Sequence, residues 1–272
     1  MQRILTGLFL FLVTIPLLAQ EYQTLNNISY YDQKVSASDA YISERCVLDV
    51  YIPRNIKNFP TVIWFHGGGI TGGEKEIPEA LKNKGIAVIG VNYRLSPKVK
   101  APKYIEDAAA ATAWVFKNIK KYGGREDLVF ISGHSAGGYL AAMVGLDKKY
   151  LQKYGLDANA LAGIIPFSGQ MISHFTTRKE KGIDELDARI DDMAPLHFIR
   201  ADAPPLLLIT GDREKELLGR YEENAYMNRM MKLKGHQETT LYELQGFDHV
   251  GMAQPAFPLL LNEIKRVEKL KK

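Results

Sequence analysis

Apolar residues in this chain gather in short unbroken runs separated by longer amphipathic stretches. The runs cover 46–51, 61–65, 87–91, 128–131, 161–167 and 206–209, with a last strand-like run at 239–244. Most are rich in β-branched and aliphatic residues without polar alternation, the pattern of strands buried on both faces. Between them the period changes to helical. Ile105, Ala108, Ala109, Thr112, Val115, Phe116 and Ile119 form one stripe, which Gly123 and Gly124 stop. Leu217, Leu218, Tyr221 and Ala225 begin a second that reaches Met230 and Met231. Phe257, Leu260, Leu261, Ile264 and Val267 form a third. Strands alternating with helices predict the α/β class, with a mostly parallel central sheet covered by helices on both faces.

Three stretches depart from this rhythm. Residues 1–20 carry Arg3 and then an almost wholly apolar segment, which reads as a signal peptide cut after Ala19 or Gln20. With no cysteine near the cut, a lipid anchor is not expected, and the protein is placed as secreted or periplasmic. Residues 21–43 are polar and read as an extended lead-in. Residues 170–200 are charged and irregular, and read as a small cap inserted between two strands of a catalytic domain spanning 21–272.

Composition narrows the choice of chemistry. Cys46 is the only cysteine, so no intramolecular disulfide can form, and its strand-like setting suits a buried hydrophobe. There is no cysteine and histidine cluster of the kind that binds zinc. The 35 Lys and Arg against 31 Asp and Glu give +4, mixed along the chain, so no nucleic-acid stripe is expected. Gly67 to Lys75 is glycine-rich but lacks the Lys-Ser/Thr ending of a phosphate loop. Neither a cofactor nor a metal is expected.

The chemistry concentrates in three places. Gly133-His134-Ser135-Ala136-Gly137 directly follows the run 128–131, the G-x-S-x-G of a nucleophile elbow behind a strand. Small residues let the chain turn sharply there and expose the serine hydroxyl. His66-Gly67-Gly68-Gly69 follows the run 61–65. Its Gly68 and Gly69 amides, with that of Ala136, would cradle the oxyanion of a tetrahedral intermediate. His249, between the last strand and the last helix, suits a general base for Ser135. An acid should follow the run 206–209, in the chain order serine, acid, histidine. Asp212, Glu214 and Glu216 are the candidates; Glu214 is preferred for its room to turn back, with Asp212 as the alternative. His66 is expected to brace its loop, His134 to point away from the site, and His236 to lie on the surface. His174 and His197 fall in the cap.

These residues together resemble the α/β-hydrolase superfamily, over roughly residues 45–270. The likeness is to its hormone-sensitive-lipase-like and acetyl- or feruloyl-esterase-like branches. Besides the three motifs it rests on Asn92-Tyr93-Arg94-Leu95-Ser96-Pro97 and Glu106-Asp107-Ala108-Ala109. In those enzymes the serine attacks an ester carbonyl, an acyl-enzyme forms, and water releases the acid. The resemblance implies a serine esterase removing acetyl or feruloyl groups from carbohydrate. The alternatives are a general small-ester carboxylesterase and a serine peptidase or amidase. Its partners would be a small ester or an acylated oligosaccharide or polysaccharide, with no stable membrane insertion and a homo-oligomer left open. The family usually has Asp as the acid, and often Asp, Glu or Gln where this chain has His134.

Overall fold

The computed structural model describes residues 21–272. The leader expected over residues 1–20 lies outside them. Eight strands form one sheet: β1 (Tyr22–Ser29), β2 (Val47–Pro53), β3 (Phe59–Phe65), β4 (Ala87–Val91), β5 (Gly124–His134), β6 (Gly163–Phe167), β7 (Leu206–Gly211) and β8 (Thr239–Leu244). Their spatial order is β1-β2-β4-β3-β5-β6-β7-β8. The first two neighbour pairs, β1 with β2 and β2 with β4, are antiparallel, and every later pair is parallel. This is the doubly covered α/β sheet that the alternating pattern predicts.

The strands without polar alternation divide their side chains between two cores. Ile63 and Phe65 of β3 join one core with α3 (Lys103–Tyr122), α4 (Ala136–Leu146) and the methionines of α7 (Arg220–Leu233). Val62 and Trp64 point the other way, onto α8 (Ala253–Leu270). Trp64 is held between Phe167 and Phe257, with ring centroids 5.4 and 5.2 Å away. Burying so large a ring contributes about 2–3 kcal/mol, and truncation to alanine would cost about 3–5 kcal/mol. The helix α3 ends where Gly123 takes a left-handed conformation, φ 99°, and its N–H closes the last turn on Ile119 and Lys120.

The structure departs from the sequence pattern at several places. The lead-in is not uniformly extended. After β1, Asp32 and Asp39 cap two short helices, α1 (Gln33–Ser38) and α2 (Ala40–Arg45). The second stripe starts three residues late, because the left-handed Gly219 precedes α7 and leaves Leu217 and Leu218 exposed. After the five-residue α5 (Lys148–Gln152), the stretch 170–200 holds α6 (Phe175–Glu180) and a single 3-10 turn at Pro195–Phe198. Residues 170–180 are largely buried against the body, whereas 181–190 are almost all exposed.

Candidate active site

The elbow follows from tight backbone packing. Ser135 sits at φ 56°, ψ −115°, between the end of β5 and the start of α4. Its N–H donates to the Phe167 carbonyl at 2.8 Å, pinning the turn to β6. A methyl group on Gly137 would fall 1.9 Å from the Phe65 carbonyl oxygen, and one on Gly133 2.5 Å from that same oxygen. Both positions therefore require glycine, and the strained serine is held by its surroundings.

The Ser135 hydroxyl lies 2.9 Å from His249 Nε2. His249 Nδ1 lies 2.7 Å from a carboxylate, and that carboxylate belongs to Glu216, not to Glu214 or Asp212. The preference for Glu214 is corrected by the local turn. The N–H of Glu216 bonds the Asp212 carbonyl at 2.8 Å, one helical turn past β7, and this carries Glu216 back over the strand end. There Glu216 Oε1 accepts from the Gly211 N–H at 2.9 Å and from the Ser168 hydroxyl. Glu214 is exposed, and among the described residues no partner holds its side chain. Asp212 accepts from the N–H groups of Gly246 and Glu214, so it ties the β7 loop to the turn after β8.

The Glu216 side chain is fully buried. Burial alone would raise its pKa, but hydrogen bonds from His249, Ser168 and the Gly211 N–H outweigh it and hold the carboxyl down at about 2. A fixed anion thus faces Nδ1, which selects the tautomer protonated there and leaves Nε2 free to accept from Ser135.

The glycine loop is braced from behind. His66 stacks on Tyr93 with centroids 4.3 Å apart, and the Tyr93 hydroxyl donates to the His66 carbonyl at 2.8 Å. Burial pushes the His66 imidazole down to about 4, so it is neutral near pH 7. Arg45 donates to the carbonyls of Tyr93 and Gly73. Behind Tyr93, Arg94 makes three hydrogen bonds to Asp107, from its guanidinium at 2.8 and 2.7 Å and from its N–H at 3.1 Å, and the Tyr31 hydroxyl adds a fourth. The 92–97 and 106–109 motifs are therefore scaffolding for the loop. Gly68 stands at φ 107° and Gly69 at φ 63°. Among the described residues, the N–H groups of Gly68, Gly69 and Ala136 donate to no protein acceptor. A methyl group on Gly67 would lie 3.6 Å from Ser135 Cβ, so the glycine loop comes up against the elbow, and its free amides have the chemistry to hold negative charge.

Other histidines depart from expectation. His134 does not point away: its Nε2 lies 2.7 Å from the His249 carbonyl. His236 is buried, because its ring nitrogens find Thr239 Oγ1 at 2.6 Å and the Ala203 carbonyl at 2.9 Å. His174 is buried and His197 exposed. Tyr93, Tyr139 and Phe167 are core residues like Trp64, whereas Phe175 packs beside Gly69. Glu216, Ser168 and His134 are the site residues that sequence reasoning misplaced or missed.

The BD-FAE family model matches residues 48–221. The chain belongs to the BD-FAE family. The match spans the glycine loop, the elbow and Glu216, and ends before His249. This BD-FAE chain is 27% identical over 255 residues to Esterase LipC of Mycobacterium tuberculosis, covering 81% of this chain and 62% of LipC. It thus spans about three-fifths of that relative's length. A truncated carbohydrate esterase from gut microbiota superposes with a TM-score of 0.75 at 20% identity, over 92% of this chain and 98% of that one. Esterase B from Lactobacillus rhamnosis gives 0.72 at 20% identity, over 93% and 88%. The shared architecture is the α/β-hydrolase fold.

Proposed function

We propose that this BD-FAE protein is a serine carboxylic ester hydrolase that works through an acyl-enzyme. The carrying observation is the unbroken chain from Ser135 through His249 to a buried, ionised Glu216. In this reading Ser135 Oγ attacks the ester carbonyl carbon and passes its proton to His249 Nε2. Negative charge on the carbonyl oxygen falls to the free amides of Gly68, Gly69 and Ala136; one such donor is worth about 3 kcal/mol in the transition state. The imidazolium, steadied by Glu216, protonates the leaving alcohol as the C–O bond breaks. Water then attacks the acyl-serine, with His249 again taking and returning the proton.

For the substrate we propose an acetyl or feruloyl ester on carbohydrate, met outside the cytoplasm after export directed by residues 1–20. The sequence resemblance and the structural likeness to the carbohydrate esterase from gut microbiota support this. The test is a panel of acetylated xylan, methyl ferulate and short p-nitrophenyl esters with the purified protein. Turnover of acetylated xylan or methyl ferulate above that of p-nitrophenyl acetate is expected. Activity on the p-nitrophenyl esters alone would leave a general carboxylesterase.

A further inference from the structure

Beside the elbow lies a group of buried cations that the hydrolytic chain does not use. Arg178, on α6, is almost fully buried, and its Nη2 donates to the Glu185 carbonyl at 2.6 Å. Among the described residues, its Nε and Nη1 have no partner. Arg220, at the start of α7, is also buried; Nη1 donates to the Ser168 carbonyl, and Nε has no partner among the described residues. His174, one helical turn before Arg178, accepts the Thr176 N–H on Nδ1 at 3.2 Å. That leaves its Nε2 as a buried N–H with no acceptor.

These groups belong together. Each guanidinium lies close enough to His174 to depress its basicity further, beyond the dominant effect of burial. Two nearby acids, Glu216 and Glu223, face Arg220 and offset its charge in part, but their hydrogen bonds go elsewhere. Glu216 serves His249, and Glu223 Oε2 accepts the Met171 and Ile172 N–H groups. Among the described residues, neither guanidinium forms an ion pair. Two buried guanidiniums with open N–H edges would forfeit a large part of a domain's net stability unless an acceptor offsets them. A water can fill a hydrogen bond but leaves the Arg178 charge without an ion-pair partner.

The position suits a substrate group. The Tyr139 N–H closes on the Ser135 carbonyl, and the Tyr139 ring lies 5.1 Å from His174. Thr176 Oγ1 donates to the Gly69 carbonyl at 2.5 Å. The cluster is thus bounded by the elbow helix on one side and the glycine loop on the other.

We propose that Arg178, Arg220 and His174 form an anion-binding site beside the nucleophile elbow that takes a carboxylate carried by the substrate. The carboxylate supplies the lone pairs that the open N–H groups lack, and its charge pairs with Arg178. It enters by displacing the exposed stretch 181–190, to which Arg178 is held through Glu185. This inference rests on the ester-hydrolase reading only for the substrate's identity.

The experiment has two arms. The first compares hydrolysis of p-nitrophenyl acetate and mono-p-nitrophenyl succinate, after subtraction of spontaneous hydrolysis. The second titrates Ser135→Ala protein with succinate, acetate and chloride at constant ionic strength and reads thermal stability. We expect kcat/KM for the succinate ester at least tenfold above the acetate ester, falling toward parity in Arg178→Met, with Arg178→Lys between them. Succinate should stabilise the protein saturably. If Arg178→Met does not fold, Arg178→Lys and the titration still decide. Saturable stabilisation by chloride or acetate without preference for the charged ester assigns the site to a free anion and overturns the substrate role. Neither preference nor stabilisation overturns the site itself. Failure to hydrolyse either ester defeats the hydrolase reading, and the titration still reads the anion site.

Discussion

His134 holds His249 by the main chain as well as by the ring. Its Nε2 donates to the His249 carbonyl at 2.7 Å, and the two imidazole centroids stand 4.8 Å apart. His249 follows a turn after β8 and has no secondary structure of its own, so an anchor from β5 fixes where Nε2 can point. Burial and the neighbouring His249 push the His134 pKa down to about 4, which keeps it neutral and unable to repel the imidazolium that forms beside it.

If that anchor positions the base, His134→Ala should lower kcat by about 10- to 100-fold with little change in KM, since the loss falls on the transition state. His134→Gln, which keeps a donor of similar reach, should recover part of it. Steady-state kinetics on p-nitrophenyl acetate decides; equal losses in both variants would remove the anchoring role.

Removing the buried carboxylate should cost far more than removing its exposed neighbour. Glu216→Ala should reduce kcat by about 10³- to 10⁴-fold, because the imidazole loses both tautomer and counter-charge. Glu214→Ala should stay within about twofold. Asp212→Ala should act through the loop, lowering thermal stability more than it lowers kcat.

Much of this molecule can be read from its residues. The continuous runs around Ile63, Ile89 and Ile131 identify strands because burial on both faces leaves no position for a polar residue. Gly133, Ser135 and Gly137 identify the elbow because only one backbone geometry needs that spacing of glycines. The acid is harder. Asp212, Glu214 and Glu216 are chemically near-equivalent along the chain, and the choice depends on a turn whose closing bond, Glu216 N–H to the Asp212 carbonyl, leaves no mark in composition. His134 and His236 were hard for the same reason. Their partners are carbonyls of His249 and Ala203, over 30 residues away in sequence, and a carbonyl has no residue type.

Acid should weaken the fold in two stages. Unfolded, an imidazole takes its proton near pH 6.5; folded, His66 and His134 do so only near about 4. As pH falls from about 6.5 to 4 the unfolded chain therefore gains protons first, and stability complete above 6.5 drains away, by up to about 3 kcal/mol for each histidine. Glu216 adds a second loss. Its carboxyl titrates near about 2 folded and about 4.3 unfolded, so its contribution is whole above 4.3 and disappears toward 2. Urea denaturation at pH 7 and pH 4.5 should show the first stage, and His134→Gln should make that difference smaller. An unchanged difference would mean His134 does not contribute.

Gly137→Ala should be tolerated far worse than any surface change. The added methyl group would sit 1.9 Å from the Phe65 carbonyl, main chain that cannot swing aside. We expect misfolding or a drop of more than about 10 °C in Tm, whereas Gly155→Ala, with open space around it, should cost only the strain of its left-handed φ of 72°. Thermal unfolding of the two variants makes the comparison.

The most direct measurement is covalent capture of Ser135 by diethyl p-nitrophenyl phosphate, read by peptide mass spectrometry. A stoichiometric diethylphosphoryl adduct on the peptide containing Ser135, absent in Ser135→Ala and slowed at least 100-fold in His249→Ala, is the predicted result. An unlabelled Ser135 in folded protein, or labelling as fast without His249 as with it, would contradict the account.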